Sequence, residues 1–100
     1  MRRARFIAAA RLEFLAEVVY HNEARPGLGE RFTIAVEETV ARALAFPRSG
    51  SPSRSGTRKI VVKGFRFTLY YRPEADGIVI FAVAHHSRRP FYWLSRARAR

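Results

Sequence analysis

Two adjacent histidines, His85 and His86, stand a few residues before Tyr92, and Arg58, Lys59, Lys63, Arg72 and Arg88 complete a set of cations in the same half of the chain. These are the side-chain types that cleavage of RNA through its 2′-hydroxyl requires. A base must take the hydroxyl proton, an acid must protonate the departing 5′-oxygen, and cations must surround the phosphate. His85 closes an apolar run and opens a basic segment, and imidazole suits proton transfer near neutral pH. The same ring equally serves to cap a strand end by hydrogen bonding to backbone or to Arg88. His86 points the opposite way on an extended chain and reads as a surface residue. The pair does not make a metal site, because its side chains diverge and no carboxylate is near in sequence. Glu74 and Asp76 belong to a turn, where Asp-Gly is a turn former.

Charge narrows the partners. Residues 1–46 hold seven Arg against six Glu, whereas residues 47–100 hold twelve Lys and Arg against two acids. Such asymmetry speaks of an acidic partner: nucleic acid, a nucleic-acid machine or an acidic protein. Phe91, Tyr92 and Trp93, set among Arg88, Arg89 and Arg96, offer stacking surfaces for unpaired bases. They also offer a small protein the means to close its core. Arg58, Arg66, Arg72 and Arg88 fit pairing with carboxylates of a binding partner, which needs charge and geometry only.

The elements that position these residues follow from periodicity. One hundred residues make one domain. The chain has no cysteine, which leaves no disulfide or thiolate metal site and fits a reducing cytoplasm. The N-terminal apolar run is interrupted by Glu13 and Glu17, so it does not read as a signal peptide, and no stretch reads as a membrane span. Residues 1–7 hold a short strand at Ala4–Ile7. Residues 8–46 read as a helical hairpin. Its first helix, Ala8–Ala24, carries an apolar stripe of Leu12, Leu15, Ala16, Val19 and Tyr20. Arg25-Pro26-Gly27 breaks it. The second helix, Leu28–Ala45, carries Phe32, Ala35, Val36, Thr39, Val40, Ala43 and Phe46. Glu13, Glu17, Glu23, Glu37 and Glu38 read as solvated helix faces. Residues 47–56 form a mobile polar loop. Residues 57–85 form a sheet of Thr57–Val62, Phe65–Arg72 and Ile78–Ala84, joined by turns at Lys63-Gly64 and Pro73–Gly77. The last strand is apolar on both faces and belongs at the centre or covered on both sides. Residues 86–100 are a basic aromatic tail. The expected fold is α+β, with a short N-terminal strand and an antiparallel helical hairpin packed on a three- to four-stranded antiparallel sheet.

In that order of parts the chain resembles the RelE/ParE superfamily of bacterial type II toxins. The resemblance rests on Arg25-Pro26-Gly27-Leu28-Gly29-Glu30-Arg31-Phe32, Ala45-Phe46-Pro47, Arg58, Tyr70-Tyr71-Arg72, Ile80-Phe81-Ala82-Val83-Ala84-His85 and Arg88-Arg89-Pro90-Phe91-Tyr92-Trp93. The closing pattern is more similar to the ParE-like side than to the RelE-like side. Phe65-Arg66-Phe67 departs from the aromatic-Pro-Tyr triplet common in the superfamily. The resemblance implies a toxin that works without a cofactor and is neutralised by a co-encoded antitoxin. An acidic antitoxin segment, disordered alone, would fold over the sheet and its basic edge in a hetero-oligomer. A ParE-like member inhibits DNA gyrase by protein–protein binding; Arg58, Arg66, Arg72, Arg88, Arg89, Phe91 and Trp93 are the residues expected to bind the antitoxin or the target. A RelE-like member is a ribosome-dependent mRNA endoribonuclease, for which Arg58, Lys63, Arg72, His85 and Tyr92 would be the catalytic set. A non-toxic basic module that binds nucleic acid is the third possibility.

Overall fold

A computed structural model describes residues 2–99; Met1 and Arg100, the ends of the expected first and last segments, lie outside the described residues. The elements run β1 (Arg3–Phe6), α1 (Ala8–Ala24), α2 (Leu28–Ala45), β2 (Ser51–Pro52), a 3-10 turn (Arg54–Gly56), β3 (Arg58–Val62), β4 (Phe67–Glu74), β5 (Gly77–His85) and α3 (Leu94–Arg98). They form an α+β structure with one five-stranded sheet in the order β1-β5-β4-β3-β2.

The hairpin turns as the sequence predicts. Arg25, before Pro26, is extended and ends α1. Gly27 takes φ 86°, a left-handed conformation natural to glycine, and starts α2. The two helices then meet closely at Gly29. A Cβ there would lie 2.5 Å from the Asn22 side chain and from the Val18 carbonyl. Instead the Gly29 N–H donates to Asn22 Oδ1 at 2.7 Å, which satisfies one of the free donors at the helix start.

The sheet is larger than three or four strands and is not wholly antiparallel. β1 pairs with β5 in parallel, Arg3 opposite Gly77 through Phe6 opposite Ile80. That pairing is possible because the α1–α2 hairpin and everything after it form the long connection that a parallel pair needs. The fifth strand, β2, comes from the loop expected to be mobile. Ser51 and Pro52 pair with Lys59 and Arg58. The Tyr71 hydroxyl donates to the Pro47 carbonyl at 2.6 Å and accepts from the Gly50 N–H at 3.1 Å, which ties the loop down. β5 is an interior strand, between β1 and β4, and is buried on both faces, as its composition implies, while β4 is the middle strand of the five.

Two cores result. One lies between the hairpin and the sheet and contains Ala10, Phe32, Val36, Ala43, Val62, Phe67, Leu69, Tyr71 and Ile80. The other lies on the opposite face, where Trp93, Leu94 and Ala97 cover Val79, Phe81, Ala82 and Ala84. The α2 stripe is buried as expected except for Phe46, which is exposed.

The α1 stripe is turned outward. Leu12, Leu15, Val19 and Tyr20 are 68, 46, 56 and 66% exposed. The face that packs inward carries Ala10, Phe14 and Val18, together with Glu13, Glu17 and His21. Helix α1 is apolar on two sides, and periodicity alone does not choose between them. Phe14 wins because it stacks on Phe6 and contacts Phe32, at centroid distances of 5.7 and 6.0 Å. His21 stacks flat on Phe32 at 4.5 Å. Among the described residues, no helix is long and apolar enough to cross a membrane.

Candidate functional site

The C-terminal segment is fastened to the sheet by Glu13, a residue the sequence reading left in solvent. Its side chain is 10% exposed. Past the last β1 pairing, the Val83 N–H of β5 donates to Glu13 Oε1 at 3.0 Å. The Tyr92 hydroxyl donates to Glu13 Oε2. Arg96 donates to Glu13 at 3.2 Å and to the Phe81 carbonyl at 2.9 Å. Glu13 and Arg96 thus satisfy backbone groups of β5 that β1 is too short to reach. Nothing local in the sequence marks this, because its members are separated by the whole length of the fold.

Tyr92 sits with its ring under two guanidinium groups, Arg88 at 3.9 Å and Arg96 at 5.2 Å. Burial pushes its phenol well above the ordinary tyrosine range, and the Glu13 carboxylate that accepts its proton pushes further the same way. The hydroxyl faces inward and holds its proton tightly. Tyr70, under Trp93 at 4.3 Å, is also raised by burial.

His85 lies at the end of β5 with its ring edge-on to Phe67 at 4.9 Å. The Ser87 N–H donates to His85 Nδ1 at 3.0 Å, and the Ser87 hydroxyl is 2.6 Å from the same nitrogen. His86 Nε2 lies 3.0 Å from the Thr68 hydroxyl. Among the described residues, no three His, Asp or Glu side chains are grouped as a metal ion would need.

The candidate cations separate into distinct places. Arg58 donates to the Gly50 and Arg48 carbonyls at 2.7 and 3.2 Å and secures β2. Arg72 donates to the Ser55 and Ala97 carbonyls at 2.6 and 3.1 Å and lies over the Phe81 ring at 4.8 Å. Lys63 and Arg66 are exposed in the β3–β4 turn. Five residues of strand separate Arg58 from Lys63, roughly 17 Å at about 3.3 Å per residue. Only His85 and Tyr92 of the nuclease set share a cavity, of about 250 Å³, with Arg88, Arg89, Phe91 and Trp93. Trp93 is fully buried, Phe91 is at the rim, and Arg89 is exposed.

This geometry can bind far more readily than it can transfer protons. Arg58 and Arg72 are engaged with backbone carbonyls, and the Tyr92 phenol is engaged with a carboxylate.

Comparison with known proteins bears on the same reading. The family model described as "ParE toxin of type II toxin-antitoxin system, parDE" matches residues 7–90. Among solved structures, "Chromosomal ParDE TA system from P. aeruginosa" superposes with a TM-score of 0.64 at 19% identity, covering 85% of this chain and 96% of that one. At that identity the likeness establishes the fold. No curated protein matches the chain.

Proposed function

The chain belongs to the ParE toxin family of type II toxin–antitoxin systems, and from that premise we propose that it is a toxin silenced by a co-encoded antitoxin and, once free, an inhibitor of DNA gyrase. Inhibition works by protein–protein binding, with no hydrolytic step in the toxin. One observation carries this reading: α1 presents Leu12, Leu15, Val19 and Tyr20 to solvent while Glu13 and His21 face inward. The spacing places four large apolar side chains on one face along two turns. An apolar helix face of that kind is a docking surface for another protein.

The antitoxin covers this face with an amphipathic segment. The excess positive charge of the chain draws an acidic segment toward it and speeds the encounter. Neutralisation is then occlusion, since a face occupied by the antitoxin is closed to the target.

The test is a gyrase supercoiling reaction on plasmid DNA, titrated with toxin freed from its antitoxin, with and without ATP. Lost supercoiling, or linear protein-linked DNA, supports the proposal, and added antitoxin should reverse the inhibition. Unaffected gyrase together with ribosome-dependent cutting of mRNA sinks it in favour of the nuclease.

A further inference from the structure

The face of the sheet turned away from the hairpin is only partly covered. The C-terminal segment packs over β5 and onto Tyr70 of β4. Beside it runs a groove with Thr68 and Tyr70 as its floor, Lys59 on one wall, and His86, Arg89 and Phe91 on the other. Its two hollows, of about 250 and 320 Å³, meet at Thr68 and Tyr70. The strand register explains the arrangement. Lys59 is opposite Tyr70 and Val61 is opposite Thr68, so these side chains share one face. Among the described residues, no Asp or Glu lines either hollow.

Phe91 adds an independent observation. Its φ is 58°, in the left-handed region that bulky side chains avoid. Trp93 turns inward to the second core, and Tyr92 turns to Glu13. Phe91 stays 37% exposed at the groove's rim, with the Arg54 guanidinium 4.2 Å above its ring. Phe91 also touches Trp93, at 6.0 Å between ring centroids, but unlike the inward aromatics it keeps part of its ring open to solvent. Strain held in a turn that displays an aromatic beside cations points to a ligand.

We infer that this groove binds single-stranded nucleic acid, with Lys59, Arg89 and Arg54 at phosphates and Phe91 against a base. The floor is the single strand β4, with Lys59 of β3 beside it at the spacing of about 4.8 Å between neighbouring strands, and a trough along one strand suits one extended chain. Hydroxyl, imidazole and guanidinium groups supply donors for phosphate, and the aromatic face accepts any base. An acidic peptide meets the charge but leaves the displayed aromatic unused. The apolar surface suited to a protein partner is on α1, across the sheet. The inference stands apart from the gyrase proposal.

The experiment is a fluorescence anisotropy titration of the free full-length chain with a labelled oligothymidylate of about 15 nucleotides, near the upper site size of one small domain. Three phosphate contacts predict a slope of about −2 in log K against log salt, so affinity falls about 20-fold between ~50 and ~200 mM salt. Lys59→Ala with Arg89→Ala should bring the slope to about −0.7. Phe91→Ala should weaken binding about tenfold and leave the slope unchanged, and a duplex of the same length should bind about tenfold more weakly for want of unpaired bases. An unchanged near-UV signal from Trp93 establishes that each variant is folded. No binding at low salt overturns the inference. So does equal affinity for single strand and duplex with both variants behaving as wild type, which marks a general effect of charge. Oligoglutamate that binds as tightly as the oligonucleotide, and is lost in the same variants, reassigns the groove to an acidic peptide.

Discussion

Glu13 of α1 accepts a hydrogen bond from the hydroxyl of Tyr92, 79 residues later in the chain. The same carboxylate accepts the Val83 N–H of β5 and faces the Arg96 guanidinium. One side chain therefore joins the first helix, the central strand and the C-terminal segment. Removing it leaves a buried N–H and a nearly buried guanidinium without their acceptor. Glu13→Ala should destabilise the fold by about 3 kcal/mol, in the range of losing one partner of a buried charged network. Glu13→Gln keeps one acceptor and should cost about half as much. Urea denaturation checks this: the midpoints should fall in that order at constant slope.

Tyr92 gives this network a signature in pH. Its phenol is raised in the folded state, by burial first and by Glu13 second. The unfolded chain ionises this group near its ordinary value of about 10. Below that value both states are protonated, and the stabilisation is fully present. As pH rises above it, the unfolded state releases the proton first and folding loses ground. The stability difference between wild type and Tyr92→Phe should be constant from neutral pH to about 10, then shrink with increasing alkalinity. Paired denaturation curves across that range measure it. A difference that stays flat would mean that the phenol is neither buried nor held by Glu13 strongly enough to resist ionisation.

A different pair anchors the 47–56 loop. A Cβ on Gly50 would lie 2.6 Å from the Tyr71 hydroxyl. That hydroxyl bridges the Gly50 N–H and the Pro47 carbonyl. Gly50→Ala should cost about 1–3 kcal/mol through overpacking, and Tyr71→Phe about 1–3 kcal/mol through the two backbone groups left unpaired. Because both act on one contact, the double variant should cost clearly less than the two together. A thermodynamic cycle from thermal melts provides the test, and strict additivity would rule out the coupling.

These two networks mark the limit of what the sequence discloses. The turn at Gly27, the α2 stripe from Phe32 to Ala43 and the burial of β5 on both faces are all written locally, as a residue type or a period. Their positions follow from a few neighbours each. The parallel pairing of β1 is not local, since Arg3–Phe6 has no feature that distinguishes β5 from another partner strand. The loop strand β2 depends on Tyr71, and the tail depends on Glu13, both far away in the chain. The α1 stripe failed for another reason. Periodicity identified Leu12, Leu15, Val19 and Tyr20 as one face correctly, but a helix with Phe14 and Val18 on its other side has two apolar faces. The chain's own core takes the aromatic one, and the second stays exposed. The five residues of the nuclease set come from residue type and from the RelE-like resemblance, neither of which shows that Arg58 and Arg72 have hydrogen bonds committed to β2, the 3-10 turn and α3.

The outward face of α1 makes the partner proposal easy to separate from folding. Leu15 is half exposed, so Leu15→Glu should change stability by no more than about 0.5 kcal/mol. Against a docked helix, the same change places a charge in an apolar contact and should weaken antitoxin binding by about 2–3 kcal/mol, or roughly 100-fold. Calorimetric titration of antitoxin into wild type and variant gives the comparison. Wild-type affinity in Leu15→Glu and also in Val19→Glu would move the antitoxin to another surface.

His85 separates the two mechanisms most cleanly. Its Nδ1 accepts the Ser87 N–H, and its ring rests edge-on against Phe67. Under the gyrase proposal this imidazole closes the end of β5 and takes no part in target recognition. His85→Ala should then lose about 1 kcal/mol of stability, mostly from the ring contact with Phe67, and should still arrest growth when its expression is induced. A general base has no such tolerance, because removing it costs about 10²–10⁴-fold in rate. Growth that continues at full rate under folded His85→Ala, with Leu15→Glu still toxic, would put proton transfer at the end of β5 and take the activity away from α1. Arrest by His85→Ala and relief by Leu15→Glu would leave the helical face as the part of the toxin that meets its target.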